Sequence, residues 1–207
     1  MIMTSSRFSL PFTLVVVASV LIGLWVAYNL RFAPPPSNDW IQDRVVSISF
    51  DTEQSSKGRV SKILSKDKTR LFAVKNLSWG TVALYKDDQF AGFASFLRHF
   101  DGWQTDNYLS IPTSSLMPLK TASIRHDIVM NRVIDKSANV IWGKRDNPSV
   151  SIIKITFDDG AVVEQPITET WFAVIEDGHG AAREMQLLDG TSNVLETVKL
   201  DQYQGRF

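Results

Sequence analysis

The sequence predicts an N-terminal transmembrane helix followed by a mainly-β ectodomain, in which an antiparallel β meander precedes a small β-sandwich. Residues 8–29 contain no charged side chain, which favours the helix. From residue 70 onward, short segments of alternating apolar and polar residues recur at close spacing, which is typical of sandwiches. Asp159 and Gly160 lie between two such segments, and an Asp-Gly pair in that position is a strong hairpin signal.

The apolar stretch has the length and the flanks of a membrane span. A helix rises 1.5 Å per residue, so that about 20 apolar residues cross a hydrocarbon core of about 30 Å. Arg7 and Arg31 close the stretch, and Trp25 and Tyr28 lie near its far end, where amphipathic rings favour the membrane interface. We therefore expect residues 10–30 to contact the lipid bilayer as a single transmembrane helix.

Two other interpretations of this stretch exist: a cleaved secretory signal and a helix buried in a globular core. Signal h-regions are about 7–15 residues long and end in a small-x-small cleavage site. Here the run is longer, Arg31 disrupts the pattern before Ala33, and Pro34 would follow the cut. A retained anchor is the favoured interpretation.

The charges that flank the anchor do not by themselves determine its orientation. Arg7 on one flank and Arg31 with Arg44 on the other leave the positive-inside rule almost balanced. The tail of residues 1–9 is short, and the chain has no cysteine for a thiol site or a disulfide. We expect a single-pass protein of the cell membrane with a cytoplasmic N-terminus and the C-terminal domain outside.

The charge balance excludes some partners. Beyond Arg31 the chain carries 20 basic and 22 acidic residues, a net charge of −2. Nucleic acid requires a basic field and anionic lipid requires a polybasic patch next to the membrane, and neither is present. This part is long enough for one good core or two small ones, and aromatic residues make up 11% of the chain, which suits a packed globular region.

The expected organisation has five parts. They are a short N-terminal tail (residues 1–9), the transmembrane helix (10–30), a Pro-rich spacer (31–40), a first β module (41–110) and a C-terminal β-sandwich module (120–207). The prolines of the spacer stop the helix and favour an extended polyproline conformation.

The first module is expected to contain a meander. Residues 44–50 alternate and predict a strand, residues 51–58 predict a loop, and residues 59–66 are compatible with a helix or a strand. Further strands are predicted at residues 71–74, 81–85 and 90–96, with a turn around Gly102. Residues 106–119 contain Pro112 and Pro118 and are expected to connect the two modules.

The second module is expected to consist of short strands joined by tight turns. The predicted strands are residues 138–142, 150–157, 161–165, 170–175, 184–188 and 194–198. Such close spacing predicts a sandwich.

Two blocks of the sequence carry a resemblance to a known group. The first block runs from Lys62-Ile-Leu through Trp79-Gly-Thr-Val-Ala-Leu-Tyr85 and Ala91-Gly-Phe93 to Phe100-Asp-Gly-Trp103. The second block runs from Ile152 through Trp171-Phe-Ala-Val174 to Leu187-Leu-Asp-Gly190. The chain resembles uncharacterised single-pass membrane proteins of Bacillus-type bacteria with two small extracytoplasmic β modules. The resemblance implies architecture and location but no reaction, and it carries over no functional residue.

The sequence offers no clear catalytic or metal-binding group. His99, His126 and His179 are too scattered in the chain to predict a zinc site. His126 and Asp127 could form an oriented base, but neighbours on a strand point to opposite faces. We therefore predict no catalytic residue, no metal site and no cofactor.

Carboxylates at hairpin tips give the alternative hypothesis. The pairs Asp87–Asp88 and Asp158–Asp159 could act as general acid and base in an envelope hydrolase. Asp158, Asp159 and Asp177 could also hold a calcium ion. Turn chemistry accounts for aspartate at such tips without any reaction, which makes these weaker hypotheses.

Four tryptophans are the candidate partner-binding residues. They are Trp79, Trp103, Trp142 and Trp171, all near predicted strand ends or turns. Aromatic side chains favour strands and fill sandwich cores, and they can also stack on a sugar ring or a partner. The favoured function is a membrane-tethered extracytoplasmic binding module whose partner is an envelope protein or a glycan.

Overall fold

The computed structural model describes residues 10–31, 34–55, 64–131, 134–200 and 204–206. It contains helices α1 (Leu10–Arg31) and α2 (Asn38–Ser55) and one 3-10 turn (Thr113–Ser115). The strands are β1 (Arg70–Asn76), β2 (Gly80–Lys86), β3 (Phe90–His99), β4 (Gly102–Pro112), β5 (Met117–Pro118), β6 (Ala122–Asn131), β7 (Lys136–Arg145), β8 (Ile152–Phe157), β9 (Val162–Pro166), β10 (Trp171–Asp177), β11 (Ala182–Leu188), β12 (Val194–Lys199) and β13 (Gln204–Arg206).

The strands form three sheets. The first sheet has the order β1-β2-β3-β4, the middle sheet β10-β7-β6-β13 with β5 beside β6, and the third sheet β12-β11-β8-β9. All pairs are antiparallel except β13 with β6. The predicted mainly-β class is confirmed, and β1 to β4 follow one another as a meander.

The middle sheet is buried on both faces because its strands alternate between two cores. Ile141 of β7 packs with Ile153 of the third sheet, whereas its neighbours Val140 and Trp142 pack with Phe93 and other residues of the first sheet. Successive strand residues point to opposite faces, so that one strand supplies both cores. The three sheets therefore stack as layers.

Helix α2 covers the outer face of the first sheet. Ile41 and Val45 are fully buried and pack in one cluster with Tyr85 and Phe96. Residues four apart lie on the same helix face, so the helical period places both side chains on the sheet. The Ser37 hydroxyl accepts a hydrogen bond from the Trp40 amide at the helix start, at 3.3 Å. We call α2 and the three sheets together the β body.

This helix corrects three expectations. Residues 44–50 were predicted as a strand from their alternation, but they lie in α2. The packing of Ile41 and Val45, four residues apart, on the first sheet outweighs that local pattern. Residues 51–55, predicted as a loop, continue the helix. Within the predicted spacer 31–40, only residues 34–37 among those described lie outside a helix. The predicted tail, residues 1–9, and most of the ambiguous segment 59–66 lie outside the described residues.

The predicted connector, residues 106–119, is also wrong in part. Residues up to Pro112 continue β4, because they pair with β3 as far as Phe90. No part of β6 was predicted as a strand. Its pattern is masked by His126 and Asp127, polar residues that the stacked sheets bury.

Helix α1 exposes apolar side chains along its length. Its exposed large hydrophobic residues are Leu14, Val15, Val16, Val17, Val20, Leu21, Ile22, Leu24, Trp25 and Tyr28, each 45–64% accessible. In the part of the chain that the structure describes, no helix meets both the length and the apolarity required to cross a bilayer.

Candidate functional site: an aromatic cleft

A cavity of about 440 Å³ opens where three hairpins meet at one end of the β body. The β1–β2, β3–β4 and β6–β7 turns form its walls. Its lining includes Trp79, Arg98, His99, Phe100, Trp103 and Ile134. We call this cavity the aromatic cleft.

Trp79 forms the inner wall of the cleft. It lies in the tight β1–β2 turn, which is closed by the Leu77 amide donating to the Gly80 carbonyl at 2.7 Å. Gly80 is required in this turn, because a Cβ there would lie 2.6 Å from the Phe96 carbonyl oxygen. Trp79 is only 7% accessible and packs into the core between the first and middle sheets. Its position is therefore rigid.

Trp103 also lines the cleft and contacts the chain that follows the N-terminal helix. It pairs with Arg98 across the β3–β4 hairpin, and the Arg98 guanidinium lies 5.0 Å from its ring centroid. Its indole Nε1 donates a hydrogen bond of 2.9 Å to the Pro34 carbonyl. Pro34 follows the end of α1 at Arg31 by three residues, so the chain enters the β body beside the cleft.

The rim of the cleft is apolar and exposed. Phe100, at the tip of the β3–β4 hairpin, is 57% accessible, and Ile134, in the β6–β7 turn, is 49% accessible. Gly102 has a φ of +127°, which the β3–β4 turn requires and which L side chains rarely adopt. The predicted turn around Gly102 is confirmed.

A second cavity of about 240 Å³ adjoins the cleft and shares Ser78 and Trp79 with it. The Lys136 ammonium donates to the Ser78 hydroxyl at 3.2 Å, and that hydroxyl donates to Asp177 at 3.5 Å. His179 also lines this cavity. The aromatic cleft is thus flanked by a hydrogen-bonded cluster that contains one basic residue, Lys136, and one acidic residue, Asp177.

The other two candidate tryptophans lie elsewhere. Trp142 is fully buried between the first and middle sheets, out of reach of a partner in solution. Trp171 is half-buried, with its ring centroid 5.4 Å from that of Phe72 and 5.6 Å from the Lys86 ammonium. The fold brings only Trp79 and Trp103 of the four together.

Asp127 is the centre of a polar group between the sheets that no sequence motif indicated. The Arg125 guanidinium donates to both of its carboxylate oxygens at 2.9 and 3.0 Å, and the Trp142 indole donates to it at 3.0 Å. Burial raises the pKa of Asp127 above its usual range, against the lowering effect of these partners. The Arg-x-Asp spacing, which places both side chains on one strand face, was the available signal.

His126 lies on the opposite face of β6, as the alternation of a strand predicts. Its ring Nε2 is 3.2 Å from the Asn139 side-chain oxygen, and the Asn139 amide nitrogen donates to the Gly180 carbonyl at 2.9 Å. His126 is 1% accessible, and burial lowers its pKa below the ordinary value. The two side chains therefore point to opposite sides of the middle sheet and do not act as a pair.

We expect His126 to make the β body sensitive to acid. The lowered pKa means that the unfolded chain takes up a proton that the folded chain resists, so stability is present above the unfolded pKa of about 6.5 and is lost as pH falls. The free energy of unfolding should decrease from about pH 7.5 to about pH 5, with a slope contribution of at most about 1.4 kcal/mol per unit. Denaturant unfolding of the full chain in mild detergent measures this slope.

The variant His126→Gln should flatten that slope whatever its effect on absolute stability. His99→Gln, at a half-buried position in the cleft, controls for the loss of a histidine. Equal slopes for wild type and His126→Gln would contradict this role of His126.

The carboxylates of the β2–β3 tip support their own turn. One oxygen of Asp87 accepts hydrogen bonds from the Gln89 and Phe90 amides, both at 2.7 Å. Asp88 forms a 2.8 Å ion pair with Lys68. This arrangement is an Asx turn, in which an aspartate mimics a backbone acceptor.

The β8–β9 tip is built in a similar way. Asp159 accepts a 2.9 Å hydrogen bond from the Ala161 amide and lies 3.0 Å from His179 Nδ1, and these two contacts, the amide first, lower its pKa. Asp158 lies 3.9 Å from Arg183 instead. Among the described residues, no three metal-ligating side chains converge, so no calcium site is formed here by Asp158, Asp159 and Asp177.

These features define a class of protein: a layered, mainly-β body with an aromatic cleft at the end where an exposed apolar helix joins it. No family model, curated protein or solved structure gives a significant match to this chain.

Proposed function

We propose that this protein is a membrane-tethered binding module of the cell envelope. In this proposal residues 10–30 hold the protein in the bilayer as a single-pass anchor, the N-terminus is cytoplasmic, and the β body lies outside. The aromatic cleft binds the partner, an envelope protein or a glycan. The resemblance to single-pass membrane proteins of Bacillus-type bacteria agrees with this arrangement and stays a prediction.

The observation that carries the proposal is the exposed apolar surface of α1. Ten large hydrophobic side chains, from Leu14 to Tyr28, are exposed along one helix. A helix that is apolar on all sides requires either a protein core or lipid around it, because water solvates such a surface poorly. The charge-free stretch of residues 8–29, at 1.5 Å per residue, would be about 33 Å long, close to the thickness of a hydrocarbon core.

The cleft has the properties of a binding surface. Its volume of about 440 Å³ lies within the range of small-molecule sites, roughly 300–1,000 Å³. Trp79 and Trp103 wall it, and aromatic faces combine a large contact area with a small loss of conformational freedom. Ser78 and Lys136 supply hydrogen-bonding groups beside these rings. This combination suits a sugar ring or a protein side chain.

Site-specific photo-crosslinking in native membranes tests the partner. Ser78 is exposed and lines both cavities, so we expect a photoreactive residue at this position to give a discrete adduct. Trp103→Ala should reduce the yield of that adduct at least about tenfold, since truncating an aromatic hot spot costs about 2 kcal/mol or more.

Ser149 provides the matched control. It is an exposed serine just beyond the far end of β7, a strand that runs about 30 Å from the cleft. A photoreactive residue there should give no discrete adduct. The same adduct at both positions, or one unaffected by Trp103→Ala, would argue against the cleft as the binding surface.

A further inference from the structure

The end of the β body that α1 joins carries an exposed apolar rim. The cleft end carries the exposed rim residues Phe100 and Ile134. At the opposite end, the β2–β3 tip presents Asp87 and Asp88, and Asp88 forms an ion pair with Lys68. A protein surface that rests on a bilayer needs apolar and aromatic groups, whereas one that faces water needs charge.

The entry of the chain places the cleft end close to the membrane. From Arg31, where α1 ends, to Pro34 the chain can extend at most about 11 Å. The hydrogen bond from the Trp103 indole to the Pro34 carbonyl then fixes the β3–β4 hairpin at the end of this short link. Helix α1 also approaches β3 directly. The rim is therefore attached to the helix by a short link and not by a long, flexible one.

We propose that the rim of the aromatic cleft, through Phe100 and Ile134, rests on the lipid surface and gives the β body a second contact with the membrane. The inference rests on the proposed membrane attachment through α1. The charged residues nearby are of both signs, Arg98 and Lys136 against Asp101 and Asp135, which suits zwitterionic headgroups and gives no preference for anionic lipid. The cleft then opens at the level of the headgroups.

The absence of cysteine from the chain permits a direct test. Single variants Phe100→Cys and Ile134→Cys of the full chain are labelled with an environment-sensitive fluorophore and reconstituted into phosphatidylcholine vesicles. Lipids that carry a spin label near the headgroup should quench both labels by roughly twofold or more, because the rim would lie within the interfacial layer.

Two further positions separate the possible outcomes. Val194→Cys is the matched control: this residue is 52% accessible and lies at the far end of the third sheet, where it pairs with Leu188. It should show little quenching. Leu21→Cys in α1 reports on the anchor itself and should be quenched by lipids labelled deep in the acyl chain.

If the label at position 21 is quenched but the labels at positions 100 and 134 are quenched no more than the Val194 control, the rim contact is overturned and the anchor stands. No quenching at position 21 would overturn the proposed function. Labels at positions 100 and 134 that are shielded from aqueous iodide in native membranes, yet not quenched by lipid in vesicles, would show that a protein covers the rim and would also overturn this inference. In the positive case, Phe100→Asp should reduce the quenching of a label at position 134.

Discussion

Replacement of Leu21 and Ile22 by lysine should move the protein from the membrane fraction to the soluble fraction. Each lysine near the centre of a transmembrane helix costs about 2.5–3.5 kcal/mol on insertion, so the pair costs roughly 5–7 kcal/mol, or a factor of about 10⁴ in the insertion equilibrium. Both side chains are about 60% accessible on α1, so neither substitution removes a core contact of the β body. Fractionation of lysed cells with an alkaline carbonate wash measures the distribution.

The double variant Leu21→Ile with Ile22→Leu is the matched control, because it keeps volume and hydropathy. It should remain in the membrane pellet with the wild type. The anchor hypothesis fails if the wild-type protein is recovered from the supernatant, and the intact mass then distinguishes a full-length soluble chain from one that has lost about its first 30 residues to signal cleavage.

Trp142→Ala should be among the most destabilising single substitutions in the β body. Trp142 is the largest of the fully buried side chains, and it lies between the first and middle sheets. Its truncation leaves a cavity, which typically costs about 3–5 kcal/mol for a large aromatic residue. It also removes the indole that donates to the buried carboxylate of Asp127, which adds to the loss. Denaturant unfolding of the full chain in mild detergent measures the free energy.

Two variants separate packing from hydrogen bonding. Trp142→Phe keeps much of the buried ring and loses the donor, so it should cost about 1–3 kcal/mol. Trp171→Ala removes a half-buried ring at the edge of the same core and should cost less than Trp142→Ala. A loss below about 1 kcal/mol for Trp142→Ala would mean that the interface between the first and middle sheets contributes little to stability.

The sequence predicted the local features of the β body well. Strands β2, β3 and β8 to β12 lie close to the predicted segments, because apolar or alternating runs bounded by tight turns are encoded within a few residues. Gly160 has a φ of +82° at the predicted Asp-Gly turn between β8 and β9. Such positions depend on backbone sterics alone, which a single sequence reveals.

The candidate site was predicted only in part. Trp79 and Trp103 were among the four tryptophans chosen, but nothing in the sequence separated them from Trp142 and Trp171. All four lie near predicted strand ends or turns, and only the stacking of the three sheets decides which ring lies inside. The exposed rim at Phe100 and Ile134 gave no pattern signal, because both residues lie in turns, where no strand or helix period applies.

By itself, the sequence determined the apolar N-terminal stretch, the mainly-β class and the positions of most turns. All of these follow from the chemistry of neighbouring residues. Only the tertiary structure decided that residues 44–50 are helical, that β6 carries His126 and Asp127 into the interior, and that Trp103 contacts Pro34 beside the cleft. These outcomes depend on contacts between residues far apart in the chain, where burial against another layer outweighs local preference.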